Sequence, residues 1–216
     1  VAMKIIAVSQ RIDIEESHHE RRDALDQQWI FFLLRCECLP VLIPNNLEAA
    51  EKLFKTFSFH GVLITGGNDL SAYGGNTPER DSTETFLIEY ALTKKVPLLG
   101  ICRGMQIIQH FFGVKLIKVE GHAGSRHIIT MNGTLSEVNS FHKYGSIEKG
   151  DSLDILAIAN DGVIESIRHE QYPIQGIMWH PERDKSDKQI DFFHTKLQNQ
   201  KPKKPTQLQK SALFFS

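Results

Sequence analysis

The stretch Pro97-Leu98-Leu99-Gly100-Ile101-Cys102-Arg103-Gly104-Met105-Gln106 decides the fold. Its first half is short and apolar, the pattern of a buried strand. Its second half opens a helix reading from Arg103 to Phe112, with Gly113 just past its end. A cysteine at that junction, with glycine two before and two after, has the form of a nucleophile elbow. Such a strand-to-helix turn holds the nucleophile in a strained backbone conformation. The flanks must be small because the turn brings neighbouring chain too close for a Cβ. The new helix aims its N–H groups and positive dipole end at the sulfur, which favours a thiolate. Cys36 and Cys38 lack this setting and read as small buried apolar residues; no second Cys/His pair stands at ligand spacing, so no metal is expected.

Working outward, Lys4–Ser9 reads as a buried strand. His18–Cys38 reads as a helix with Leu25, Trp29, Phe32, Leu33 and Cys36 on one face. Pro40–Pro44 is a strand, Asn45-Asn46 caps a helix over Leu47–Phe57, and Gly61–Thr65 is a third strand before the glycine-rich Gly66–Gly75. Ser82–Lys94 is a helix. This alternation predicts a parallel sheet covered on both faces. Further on, His127–Met131, Leu135–Asn139, Leu153–Ala159, Val163–Arg168 and Ile174–Trp179 read as strands joined by short turns, and Ser186–Leu197 as a last helix. The expected fold is three-layer α/β, a central mostly parallel sheet flanked by helices, with additional antiparallel strands in the second half. Residues 3–198 are expected to form a single catalytic domain, and 199–216 a tail that is poorly ordered or docked. Val1-Ala2 reads as a cloning remnant before Met3.

The chain has 216 residues, 41% of them hydrophobic and 24% charged, and a net charge of -1. That balance removes the electrostatic case for a nucleic-acid polymer as partner. No apolar run reaches the ~20 residues needed to span a bilayer, and three cysteines fit a reducing compartment, so a cytoplasmic protein without a membrane partner is expected.

A thiolate nucleophile needs a base, and the base an orienting acceptor. Trp179-His180-Pro181-Glu182 supplies both just past an apolar strand, with His180 and Glu182 on the same side of an extended segment. An acyl-transfer site also needs donors for an oxyanion. The Arg103 N–H is one candidate, and Gly66-Gly67 at the end of the third strand offers another in Gly67.

Together these residues resemble the class I glutamine amidotransferase family, and within it the gamma-glutamyl hydrolase branch. Arg22–Asp26 with Leu39–Pro44, Ile64–Asp69 with Tyr73-Gly74, Pro97–Gln106, Val138–His142 and Gly176–Glu182 match it in order along the chain. The resemblance covers about Ile5 to Leu197. It implies a flavodoxin-like sheet and attack by Cys102 on a gamma-glutamyl carbonyl. A glutamyl-thioester would follow, with His180 as acid and base and Glu182 orienting it. It also implies that Gly66, Gln106, Asn139, Ser140, Phe141 and His142 meet the glutamyl moiety, Asn139 to Phe141 largely by backbone. No cofactor is implied. The partner is a small gamma-glutamyl compound, and a homodimer is compatible with the pattern.

Substrates of that branch include gamma-glutamylated amines, polyglutamate tails and gamma-glutamyl phosphoramidates of cytidine diphosphate. The chain looks like small bacterial members acting on the last. Arg11, Arg22, Asn68, Tyr73, Arg126 and His127 are the candidates for reading the leaving group. The sequence ends soon after its last helix, so a free-standing hydrolase is expected. A glutaminase subunit delivering ammonia to a separate synthase is the alternative, and an inert binding protein on the same fold is a third reading, disfavoured by the intact triad.

Overall fold

A computed structural model describes residues 3–184. The expected helix Ser186–Leu197 and the tail 199–216 therefore lie outside the described residues. In chain order the strands are β1 (Lys4–Val8), β2 (Arg11–Glu15), β3 (Glu20–Ala24), β4 (Cys38–Leu42), β5 (Gly61–Ile64), β6 (Leu98–Ile101), β7 (Ile117–Lys118), β8 (Ala123–Met131), β9 (Thr134–Phe141), β10 (Tyr144–Gly145), β11 (Leu153–Ala159), β12 (Ile164–His169) and β13 (Ile174–Ile177). The α-helices are α1 (Gln28–Arg35), α2 (Leu47–Thr56), α3 (Pro78–Lys94) and α4 (Arg103–Phe111).

A nine-stranded sheet in the order β4-β1-β5-β6-β13-β12-β11-β8-β9 forms the frame. From β4 to β13 the pairings are parallel; from β13 outward they are antiparallel. The expected architecture is thus the observed one. Because strand side chains alternate, each parallel strand feeds two cores. Ala7, Val62, Ile64 and Leu98 pack on one face with Ala50, Leu87 and Met105 from three helices. Ile6, Val8, Leu63, Leu99 and Ile101 pack on the other with Trp29, Phe32 and Leu33 of α1. No helix among the described residues is long and apolar enough to cross a membrane.

One expected element is wrong in type. The helix read over His18–Cys38 is a hairpin followed by a shorter helix: β2 and β3 pair antiparallel from Arg11↔Ala24 to Glu15↔Glu20, and only Gln28–Arg35 is α-helical. His18 to Asp23 carries no apolar residue to dock a helix, whereas the strand register places Arg22 beside Glu20 and Glu15. The hairpin is a separate two-stranded sheet. It is tied to the frame by Asn68, whose Oδ1 accepts from Ile12 N–H and whose Nδ2 donates to Ile12 C=O, both at 2.9 Å. At the far end Cys38 begins β4 instead of ending the helix. A second difference is smaller: α3 starts at Pro78, one turn before Ser82, because proline at the first helical position needs no acceptor for its absent N–H. The added turn brings in Arg80.

Candidate active site

The carboxyl ends of three adjacent parallel strands, β5, β6 and β13, converge. Gly66 follows β5, Cys102 follows β6 and His180 follows β13. Cys102 sits at φ 53°, ψ -107°, a conformation costly for a residue with a side chain. Its N–H donates to Ile177 C=O at 2.7 Å, which locks the elbow to β13. A Cβ on Gly100 would collide with the Gly104 carbonyl, and one on Gly104 with the Ile64 carbonyl. The expected reason for the glycine bracket therefore holds: the turn is wedged against the neighbouring strand.

The Cys102 side chain hydrogen-bonds to His180. The other imidazole nitrogen, Nδ1, lies 2.7 Å from Glu182 Oε1, and both residues are buried. Burial pushes the His180 imidazolium towards lower pKa, but the bonds to Cys102 and Glu182 outweigh it and raise the value to about 9. Pro181-Glu182-Arg183 form one 3-10 turn, which swings the carboxylate back under the ring. The carboxylate is thus placed to orient the imidazole, whose far side meets Cys102.

Asn139 fixes the imidazole's backbone. Its Oδ1 accepts from His180 N–H at 2.8 Å and its Nδ2 donates to His180 C=O at 2.9 Å. The Asn139 side chain thus positions the histidine, while the substrate contact expected of this stretch is one through its backbone. Ser140 likewise turns inward and donates to His122 C=O at 2.6 Å. Phe141 is half-exposed, edge-on to His180 with ring centroids 5.6 Å apart, and carries Arg183 over its face at 4.6 Å. Gln106 is buried one helical turn past Cys102 and donates to Tyr144 C=O at 2.9 Å.

Arg80, which the sequence did not single out, organises the turn after β5. Fully buried, it donates to the carbonyls of Thr65 at 2.7 Å, Gly66 at 3.1 Å and Gly67, and to Asn68 Oδ1 at 3.0 Å. A trans peptide is planar with N–H opposite C=O. Holding the Gly66 carbonyl on Arg80 therefore turns the Gly67 N–H away from Arg80. Burial lowers the Arg80 pKa to about 10 against the pull of Glu84. Glu84 accepts from Arg80 Nε at 2.7 Å, from Ser9 Oγ at 2.8 Å and from Arg103 Nη1. The Arg103 side chain also bonds Asp81 and so points away from the sulfur, while its N–H lies in the first helical turn, where no intrahelical acceptor exists.

A cavity of about 260 Å³ is lined by Gly67, Asn68, Cys102, Arg103, Gln106, Phe141 and His142. A narrower one of about 40 Å³ adjoins Arg11, Gly66, Gly67, His180 and Glu182. Of the leaving-group candidates, Arg11 and Asn68 thus line the site. Arg22 and Arg126 line neither cavity; Arg22 pairs with Glu20 and Arg126 with Glu137 on exposed surface. Tyr73 is structural: its hydroxyl accepts from Leu116 N–H at 3.0 Å and its carbonyl accepts from the Tyr144 hydroxyl. His127, and the imidazole of His142, face a separate buried cluster around Glu165.

Residues 27–199 match the glutamine amidotransferase class-I family. Among curated relatives, a gamma-glutamyl-CDP-amidate hydrolase of Campylobacter jejuni is 36% identical over 83% of this chain and 90% of its own. An anthranilate synthase component 2 of Cyanophora paradoxa is 34% identical over 70% of this chain and 83% of its own. Among solved structures, a Thermoplasma acidophilum protein provisionally assigned as part of a GMP synthase superposes with a TM-score of 0.69 at 17% identity, over 90% of this chain and 92% of that one. This chain belongs to the glutamine amidotransferase class-I family.

Proposed function

We propose that the protein is a cysteine hydrolase of gamma-glutamyl amides, with Cys102 as nucleophile, His180 as acid and base, and Glu182 as its orienting carboxylate. The observation that carries this reading is the hydrogen-bonded chain Cys102–His180–Glu182 at a strained strand-to-helix turn. The contacts with Cys102 and Glu182 that raise the His180 pKa to about 9 favour a protonated imidazole, the form that can donate to a departing nitrogen. The sulfur attacks the gamma-carbonyl carbon, and the negative oxygen is met by the N–H groups of Gly67 and Arg103. Collapse breaks the C–N bond as His180 gives its proton to the departing nitrogen. Water then loses a proton to His180 and attacks the thioester. The C–S bond breaks, releasing glutamate and regenerating the thiolate. Gln106, Phe141 and His142 line the cavity where the glutamyl end would sit.

For the leaving group we favour a cytidine diphosphoramidate. The Campylobacter relative's name supports this, and Arg11 at the smaller cavity and Lys143 at the larger are cations placed to meet a phosphate. Among the described residues the Arg11 guanidinium pairs with half-exposed Asp13, at 2.7 Å, an exposed contact of small energetic weight that a phosphate can displace. We further propose that the chain acts in the cytoplasm as a single catalytic unit. The test is kcat/KM across a panel containing a gamma-glutamyl nucleotide phosphoramidate, gamma-glutamyl polyamines, polyglutamate and glutamine, with Cys102→Ala as control. The reading expects the phosphoramidate to lead and Cys102→Ala to abolish turnover. Full hydrolysis by Cys102→Ala would overturn the mechanism. Poor activity on every amide, relieved on glutamine by a synthase partner, would instead identify an ammonia-delivering subunit.

A further inference from the structure

His122, His127, His142 and Glu165 form a second polar centre that the chemistry above does not use. Glu165 is fully buried in the apolar strand β12, and His122 and His142 are buried against it. His127 retains 17% side-chain exposure. The protonation pattern follows from the outer partners. His142 Nδ1 lies 3.0 Å from the Tyr144 carbonyl, which can only accept, so Nδ1 carries a proton. His122 Nε2 lies 2.8 Å from an Asp161 carboxylate oxygen, so Nε2 carries one as well. In neutral rings the opposite nitrogens, His122 Nδ1 and His142 Nε2, then present lone pairs.

Those lone pairs face each other at 3.2 Å, and both face Glu165 Oε1, at 3.2 Å and 3.3 Å. Three acceptors close a triangle. His127 Nε2 approaches the other Glu165 oxygen at 3.4 Å. Neither oxygen of Glu165, nor His127 Nε2, makes an aligned hydrogen bond, although each is close to a potential partner. Close but misaligned atoms are what a common central ligand produces. A tetrahedral zinc ion with bonds of ~2.0–2.1 Å sets its donors about 3.3–3.4 Å apart. The observed edges of the triangle match that spacing. Donor atoms of His122, His127 and Glu165 all lie within 4.8 Å of one another. The outer hydrogen bonds, from one imidazole to a carboxylate and from another to a backbone carbonyl, are the contacts that orient metal-bound histidines.

We propose that His122, His127 and Glu165 bind a divalent transition-metal cation, zinc by donor chemistry, with His142 packed against two of these donors. This departs from the sequence expectation of no metal, and it does not depend on the active-site reading. The ion joins β8 and β12. Strand β9, paired with β8, carries Asn139, which holds His180, so the role is structural and next to the site.

The experiment uses the whole chain. The protein is loaded with zinc chloride, desalted, and its metal content measured by mass spectrometry, with thermal melting before and after EDTA. The proposal expects about one zinc per chain and a Tm gain of about 5–10 °C at a hundredfold excess over Kd. It expects both to be lost in His127→Ala and Glu165→Gln. Wild-type stoichiometry decides even if the buried Glu165 variant fails to fold. Cobalt in place of zinc should give visible d–d absorption without sulfur-to-cobalt charge transfer. Charge transfer would place the metal on a thiol and overturn the proposal. So would zinc lost on desalting, zinc retained equally by His127→Ala, or a melting curve indifferent to zinc and EDTA. The last result would mean that a proton holds the triangle.

Discussion

Replacing Gly66 with alanine puts a methyl carbon 2.7 Å from His180 Cε1 and 3.4 Å from Nε2. Carbon atoms prefer about 3.5–4.0 Å, so the imidazole must retreat by about 1 Å. The new methyl would lie 3.5 Å from Cys102 Cβ, an ordinary contact, and Gly66 is not among the positive-φ glycines, so the backbone accepts alanine. The ring has little freedom to yield. Asn139 grips its backbone on both sides, and Glu182 holds Nδ1 at 2.7 Å. The retreat must therefore come from rotation that stretches the bonds to Cys102 and Glu182. A misplacement of ~1 Å at a reacting group costs on the order of 10²-fold in rate. We expect kcat/KM for a gamma-glutamyl anilide to fall about 100-fold, with Tm within ~3 °C of wild type. The rate of Cys102 alkylation by iodoacetamide near neutral pH should fall with it, because the thiolate loses its imidazolium partner. A Gly66→Ala protein that folds normally and keeps both rates within about twofold would refute this geometry of the site.

The pH profile should show a descending limb near 9, where His180 loses the proton it gives to the departing nitrogen; below that value the proton is in place. Glu182→Gln removes a charge that favours the imidazolium, so the limb should move to lower pH while kcat drops; an unmoved limb would remove Glu182 from its role. Asn139→Ala deletes two buried hydrogen bonds to the His180 backbone and should destabilise the fold by about 1–3 kcal/mol. Denaturant unfolding measures that loss, and kinetics should show lower kcat with little change in KM, since the side chain orients the histidine and does not bind substrate.

What the sequence disclosed follows from how local each signal is. The elbow is written in ten consecutive residues, and so is the strand-plus-helix reading on either side. His180 and Glu182 are two residues apart, so their partnership was also legible. The hairpin was not, because it is anchored at Ile12 by Asn68, a residue from a distant loop, and its own strands are mostly charged. Arg80 escaped because a buried arginine has no compositional mark; arginines are mostly exposed, and its partners are backbone carbonyls that every sequence has. The one available hint was the Arg80–Glu84 spacing of one helical turn. The histidine cluster draws on β8, β12 and the turns beside them, and its single local clue was Glu165 standing inside the apolar run Val163-Ile164-Glu165-Ser166-Ile167.

The β2–β3 hairpin has a consequence for how such enzymes diversify. The sulfur, the imidazole and the Gly66-Gly67 turn are welded to the ends of adjoining strands and cannot shift without dismantling the sheet. The hairpin belongs to no other strand, yet it is the piece that delivers Arg11 to the cavity mouth. A lineage is free to lengthen, recharge or replace this appendage and so acquire a taste for a new departing group, leaving the bond-breaking apparatus untouched.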